Sequence, residues 1–171
     1  IQVEGSREAA ELLVGKYYRE MNRYLMRQLR DPEDAADLTQ ELFVTVLAAI
    51  GRYDASRASF RTWLYRVATN KVIDAMRSRR RRSDREVPLE FDPVGGGDLG
   101  VLVAGAELEA RVHRHLSGLP VRAQQVLRMR LFGGETFAGC AAALGLPESS
   151  VKSVYYRALA GLREELRDAG L

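Results

Sequence analysis

Three consecutive glycines, Gly95 to Gly97, with Pro88 and Pro93 just ahead of them, interrupt a chain that is otherwise patterned as helix almost throughout. Glycine loses more backbone freedom on folding than any other residue, and proline lacks a donor, so "PLEFDPVGGGDLG" cannot be the interior of a core element. It reads as a linker over 83–105 and divides the chain in two. Before it, apolar residues recur at helical spacing from about Ser6 to Arg30, Pro32 to Ile50 and Ser59 to Arg82. After it, the same period runs from about Ala106 to Leu116, Val121 to Phe132, Thr136 to Leu144 and Glu148 to Arg167. Strand-like alternation is nowhere sustained. The expected fold class is all-α: two small helical domains, 1–82 and 106–171, joined by a flexible linker. With 171 residues and 46% hydrophobic content the chain is long enough for this and far too apolar to be disordered.

Local signals place the breaks within each half. "DPED", Asp31 to Asp34, supplies an N-cap and a proline at the first helical position, so it ends one helix and starts the next. "GRYDASRAS" separates the second helix from the third. Charge is segregated more than it is unbalanced: the formal net charge is only +3. From Arg61 to Arg82 there are eight Arg or Lys against one Asp, whereas from Ser83 to Ala110 there are seven Asp or Glu against Arg85 alone.

In the basic helix, Leu64, Ala68, Val72 and Ala75 fall on one side and Thr62, Arg66, Thr69, Asn70 and Arg77 on the other, with Ile73 inside that polar face. A solvated helix end would also carry arginines, which suit the C-terminal dipole, but a few charges satisfy the dipole and this run continues. The excess points to a polyanion, with nucleic acid the leading candidate. In the preceding helix, Leu38, Leu42, Val46 and Ile50 form the expected core side, leaving Asp34, Asp37, Gln40, Glu41 and Val44 as a mostly acidic face. On charge alone that face is simply solvated.

The stretch "TFAGCAAALGLPESSVKSVYYRALAGL" has helix-turn-helix spacing. Ala141 is small where two helices cross, Gly145 permits the turn, and Val151 docks the second helix. A generic pair of antiparallel helices also uses these residue types. The second helix, however, gathers Ser149, Ser150, Lys152, Ser153, Tyr156 and Arg157 at its N-terminal end, the donors a recognition helix carries into a major groove.

Four stretches, "DAADLTQELFVTVLAAIGRYD", "SFRTWLYRVATNKVIDAMRSRRRR", "LPVRAQQVLRMRLFGGETF" and "LPESSVKSVYYRAL", resemble in order and spacing regions two and four of bacterial extracytoplasmic-function sigma factors of the sigma-70 superfamily. The resemblance implies a non-catalytic transcription initiation factor with no cofactor, which binds RNA polymerase core and directs it to promoter DNA. It makes 1–82 a region 2 for core binding and minus-ten recognition and melting, and 106–171 a region 4 for the minus-thirty-five element. Asp37, Gln40, Glu41 and Phe43 match the patch that docks on the clamp helices of the largest polymerase subunit; region 4 would meet the flap of the second-largest. Arg66, Thr69 and Asn70 would face minus-ten DNA, with Ser56, Arg57 and Ser59 in the loop that cradles a flipped base and Arg77 and Arg80 on phosphates. Ser150, Lys152, Ser153, Tyr156 and Arg157 would read the minus-thirty-five element. An anti-sigma protein wrapped between the domains is a further implied partner.

The chain departs from the family pattern at Ala138 and Gly139, where many relatives have two acidic residues, at "ESS" before Val151 where "EGT" is common, and at Val154 and Tyr155, which replace a frequent "RL" pair. Trp63 is expected to pack rather than stack on a base.

Other classes fit poorly. The single cysteine, Cys140, precludes an internal disulfide and a Cys-rich zinc site and reads as a buried small hydrophobe. His113 and His115, two apart on a helix, cannot share a face for a metal. The glycine run follows no strand and opens no helix, so it is no phosphate loop, and no nucleophile and base are paired. No run is long enough to span a membrane, and no basic segment leads into an apolar signal core, so a cytoplasmic location is expected. The first residue is Ile1 rather than Met, so the sequence is expected to be either a trimmed one or one with further residues ahead of it. An independent helix-turn-helix regulator is the nearest alternative; it leaves the first domain without a purpose.

Overall fold

The computed structural model describes residues 2–83 and 99–168, and among these every regular element is helical. In chain order they are α1 (Gln2–Leu29), α2 (Pro32–Ala49), a 3-10 turn (Ile50–Arg52), α3 (Phe60–Ser83), α4 (Leu99–Gly118), α5 (Val121–Leu131), α6 (Phe137–Leu144) and α7 (Glu148–Asp168). Residues 84–98 of the expected linker lie outside the described residues. The rest of that linker needs correction: α4 begins at Leu99, well ahead of the expected start near Ala106.

Sequence dictates the breaks as expected. Asp31 accepts the backbone N–H groups of Glu33 and Asp34 at 2.9 and 3.0 Å, with Pro32 in the first turn where no N–H is missed. Thr136 caps α6 by accepting from the Gly139 N–H at 2.9 Å, and Gly145 ends it at φ +65°. That left-handed conformation lets the chain turn into α7 without a Cβ clash.

Helices α1, α2 and α3 pack together, burying Met21, Tyr24 and Leu25 of α1, Leu42, Phe43 and Val46 of α2, and Leu64, Ala68 and Val72 of α3. Helices α4 to α7 form the second group, where Val151 is fully buried, Ala141 and Ala158 are nearly so, and Leu116 and Leu127 have no exposure. The groups are not separate bodies. α3 packs against α4, α5 and α6, and one continuous apolar cluster joins Leu64, Tyr65, Ala68 and Val72 to Val126, Met129, Cys140 and Leu144.

That contact revises the one-sided reading of α3. Thr62, Thr69 and Ile73, assigned to a free polar face, are all buried. A helical wheel assumes one wet side and one dry side; here α3 lies between two helical layers and is dry on more than half its circumference.

Candidate functional site

Three surfaces carry the residues singled out from sequence. The first is the outward side of α2. Asp37, Gln40 and Glu41 are exposed, held there because Ala35, Thr39, Leu42 and Val46 are drawn into the core at helical spacing. Glu41 reaches Lys71 of α3 at 3.4 Å, and Asp34 pairs with Arg79. Phe43 does not belong to this surface: it is 4% exposed and stacks on Tyr18 with centroids 6.1 Å apart. Its expected docking role is corrected to that of a core residue that sets the rotation of α2. Val44 and Leu47 are exposed beside the acids, and so is Ile50, which the periodicity assigned to the core. An acidic rim with an apolar strip is the composition of a protein-docking surface more than of a nucleic-acid one.

The second surface is α3 and the loop before it. Tyr53, Phe60 and Trp63 form an aromatic cluster with neighbouring centroids 5.4 to 5.6 Å apart, so the tryptophan packs, as expected. The cluster holds the loop's ends. Inside it, Asp54 accepts from both the backbone N–H and the hydroxyl of Ser56, and Ser59 accepts from the Thr62 N–H at 3.1 Å as the start of α3. The hydroxyls expected on DNA are thus committed to shaping the loop, while Arg57 is exposed. Thr69 requires a plain correction. It has no exposure, and its hydroxyl donates to the Tyr65 carbonyl at 2.6 Å while meeting the Tyr24 hydroxyl at 2.7 Å. It cannot touch DNA in this arrangement, because the α1–α3 contact has consumed it.

Arg66 and Asn70 do lie on one side of α3, but neither is idle. Arg66 donates to the Ala143 carbonyl at 2.9 Å, and the Gln125 amide donates to Asn70 Oδ1 at 2.8 Å. Both partners belong to the second helical group. Further along, Arg77 and Arg80 are exposed and line a cleft of about 1080 Å³ with Arg30, Arg79, Arg114 and His113. Arg30 and Arg114 went unnoticed in sequence because they come from the turn after α1 and from α4, far from the arginine run. Burial, with Arg128 and Arg30 nearby, holds His113 below its ordinary value, so the imidazole adds no charge to that cleft near neutral pH.

The third surface is α7. Ser150, Lys152, Ser153, Tyr156 and Arg157 are all exposed, while Val151, Ala158 and Leu162 of the same helix are buried against α5 and α6. Lys152 pairs with Glu148 at 2.6 Å. The donors project along one side of a helix that follows a tight turn, the geometry a major-groove reader needs.

Glu135, Gln125 and Arg128 drew no attention in the sequence. Glu135, 5% exposed, accepts from Arg61 Nη1 at 2.5 Å and from the Thr62 hydroxyl at 2.8 Å. Arg128 is fully buried, donates to Gln28 Oε1 at 2.8 Å, and touches Met76 Sδ at 3.1 Å. No described carboxylate neutralises it, and burial pulls its pKa down to about 10. The only local signal for any of them is an acid after two glycines, in "FGGET".

Residues 13–82 match the family described as Sigma-70 region 2, and residues 109–162 match Sigma-70, region 4. The chain belongs to the extracytoplasmic-function sigma factors of the sigma-70 family. This sigma factor is 30% identical over 172 residues to the RNA polymerase sigma-H factor of Pseudomonas aeruginosa, spanning 95% of the chain and 89% of that relative. With the ECF sigma factor SigW of Bacillus subtilis it shares 28% over 176 residues, covering 96% of the chain and 92% of SigW. Among solved structures, CnrH in complex with the cytosolic domain of CnrY has a similar fold, with a TM-score of 0.62, 24% identity, and coverage of 95% of this chain and 90% of that one. RpoE in complex with the anti-sigma factor NepR from Bartonella quintana gives 0.56 at 19%, over 92% and 96%. This sigma factor is therefore a non-catalytic transcription initiation factor with an all-helical, two-part fold. None of its described helices is long and apolar enough to cross a membrane.

Proposed function

We propose that this sigma factor docks on core RNA polymerase through α2 and carries it to promoters whose two elements are read by its two halves. Asp37, Gln40 and Glu41 would meet the clamp helices, with the exposed Val44 and Leu47 adding apolar contact. Region 4 would meet the flap and read the minus-thirty-five element through Ser150, Lys152, Ser153, Tyr156 and Arg157. Region 2 would read and open the minus-ten element through Arg66 and Asn70, with the Ser56 to Ser59 loop as the base cradle and Arg77 and Arg80 on phosphates. A flipped base costs a few kcal/mol to unstack, and cradle and phosphate contacts together must offset that.

The observation that carries this reading is α7: five donor-bearing side chains exposed on one side, with that helix's apolar residues anchored on the other. Sequencing the 5′ ends of transcripts made by core plus this protein should return start sites with common upstream elements. Lys152→Ala and Tyr156→Ala should each weaken promoter binding by about 1–3 kcal/mol per lost contact, with the loss confined to the upstream element. Transcripts that start at the same sites with and without the protein would overturn the reading. A protein inhibitor seated between the two halves is a natural regulator of such a factor, and the similar folds solved with anti-sigma partners support looking for one.

A further inference from the structure

From Lys16 to Arg30 the exposed residues are Lys16, Arg19, Arg23, Arg27 and Arg30, and every one is a cation. At 100° per residue they fall within an arc of about 80°, opposite the buried Met21 and Leu25. At 1.5 Å per residue they run roughly 21 Å along one side of α1 to the residue that ends it. The first four lie outside the three surfaces described above. Lys16, Arg19, Arg23 and Arg27 form no ion pair among the described residues; Lys16 Nζ sits 5.2 Å from the centre of the Tyr17 ring. Glu20, at the edge of the stripe, is turned to α3, where it accepts from Arg61 Nε at 2.8 Å and from the Tyr65 hydroxyl at 2.9 Å. Arg30 comes no closer than 3.8 Å to Glu109.

This arrangement costs the fold something. Arg19 and Arg23, and again Arg23 and Arg27, are like charges one turn apart, a spacing that destabilises a helix. The macrodipole offsets such a cost only within the last turn, and of the four cations inside α1 only Arg27 lies there. Arg30 adds a second cost. It closes α1 at φ +59°, its N–H donating to the Met26 carbonyl at 2.9 Å, in the left-handed conformation that helix ends ordinarily give to glycine. An arginine held there against the strain of its own Cβ points to a use for its charged end.

From this stripe we propose that α1 is a further DNA-binding surface, a track for the phosphate backbone of duplex DNA outside the two promoter elements. Phosphates suit it better than protein does. A face that exposes cations alone lacks the apolar and aromatic anchors around which a protein interface is built, whereas each DNA strand offers one negative charge per roughly 3.4 Å, about six over the length of the stripe. The track is also continuous with phosphate contacts already proposed, since Arg30 lines the same cleft as Arg77 and Arg80 of α3. This role, which rests on the promoter-binding reading, adds affinity and fixes the lie of the duplex without adding sequence preference.

The test is the salt dependence of promoter binding. A triple variant, Arg19→Gln, Arg23→Gln and Arg27→Gln, removes three exposed charges and keeps residues of similar helix propensity, so the melting temperature should not fall. With core and a labelled promoter fragment recovered by start-site sequencing with the unmodified protein, the slope of log affinity against log salt should become shallower by about 2 to 3, and affinity at moderate salt should drop by about tenfold or more. A fragment with both elements scrambled should lose affinity by the same factor, and the start sites should not move. Arg19→Lys, Arg23→Lys and Arg27→Lys together should restore slope and affinity, since a phosphate needs only the charge. A slope unchanged by the glutamines would overturn the track, and so would a loss confined to the promoter fragment, which would mean base reading. Reduced capture of core in a pull-down would overturn it too, by making the stripe a polymerase contact. If the unmodified protein with core shows no preference for the promoter over the scrambled fragment, the functional reading fails instead, while the slope on either fragment still decides the track.

Discussion

At the scale of single residues, Arg128 is the least comfortable group in the molecule. Removing it alone would leave Gln28 without its donor, which itself costs about 1–3 kcal/mol. Replacing both, Arg128→Met with Gln28→Leu, removes the cation and its acceptor together and should raise stability by about 1–4 kcal/mol, read as a higher melting temperature. Cys140 behaves oppositely. Fully buried, its thiol is pushed up from the usual 9.0 to about 11. The folded thiol holds its proton where the unfolded one loses it, so this contribution is complete below pH 9 and fades as pH rises toward 11. Iodoacetamide at pH 8 should leave Cys140 unmodified in the native protein and modify it quantitatively in urea, as mass spectrometry would read. Sequence made Cys140 legible, since a lone cysteine among Ala and Leu is a core residue. Arg128 was not legible, since an arginine in "RMRL" reads as surface until its neighbours from α1 and α3 are known.

At the scale of elements, the helices were legible and their environments only partly so. Caps, prolines and the glycine at 145 act within a few residues, and they put the breaks between α1 and α2 and between α6 and α7 where the chain has them. What a helix face meets is settled further away. Thr62 and Glu135 are 73 residues apart, and no local period encodes that the polar side of α3 will be covered. Phe43 was misread for a related reason: a motif names a patch, but 100° per residue turns one of its members inward onto Tyr18. The corrected α2 surface gives a sharper experiment. Charge reversal at Asp37 and Glu41 with Gln40→Ala should abolish capture of core in a pull-down while shifting stability by no more than about 0.5 kcal/mol, because all three are exposed. Phe43→Ala should instead lower the melting point by the equivalent of about 3–5 kcal/mol. Core affinity unchanged by the triple substitution would remove α2 from the docking surface.

At the scale of the whole molecule, the closed packing and the segregated charges work in different directions. The flexible tether expected from the linker predicts two independent halves, whereas α3 shares one apolar cluster with α5 and α6. Asymmetry is the feature with the widest reach. The donor side of α7 faces solvent in the same packing that ties Arg66 and Asn70 to Ala143 of α6 and Gln125 of α5. A cell holds far more single-stranded RNA than promoter, and a basic groove beside aromatic side chains takes up single strands with little regard to sequence. A factor that kept such a groove open would spend its time on transcripts. In this packing Arg66 and Asn70 are engaged while the donors of α7 are bare, so duplex DNA would be the readier ligand of the proposed promoter reader.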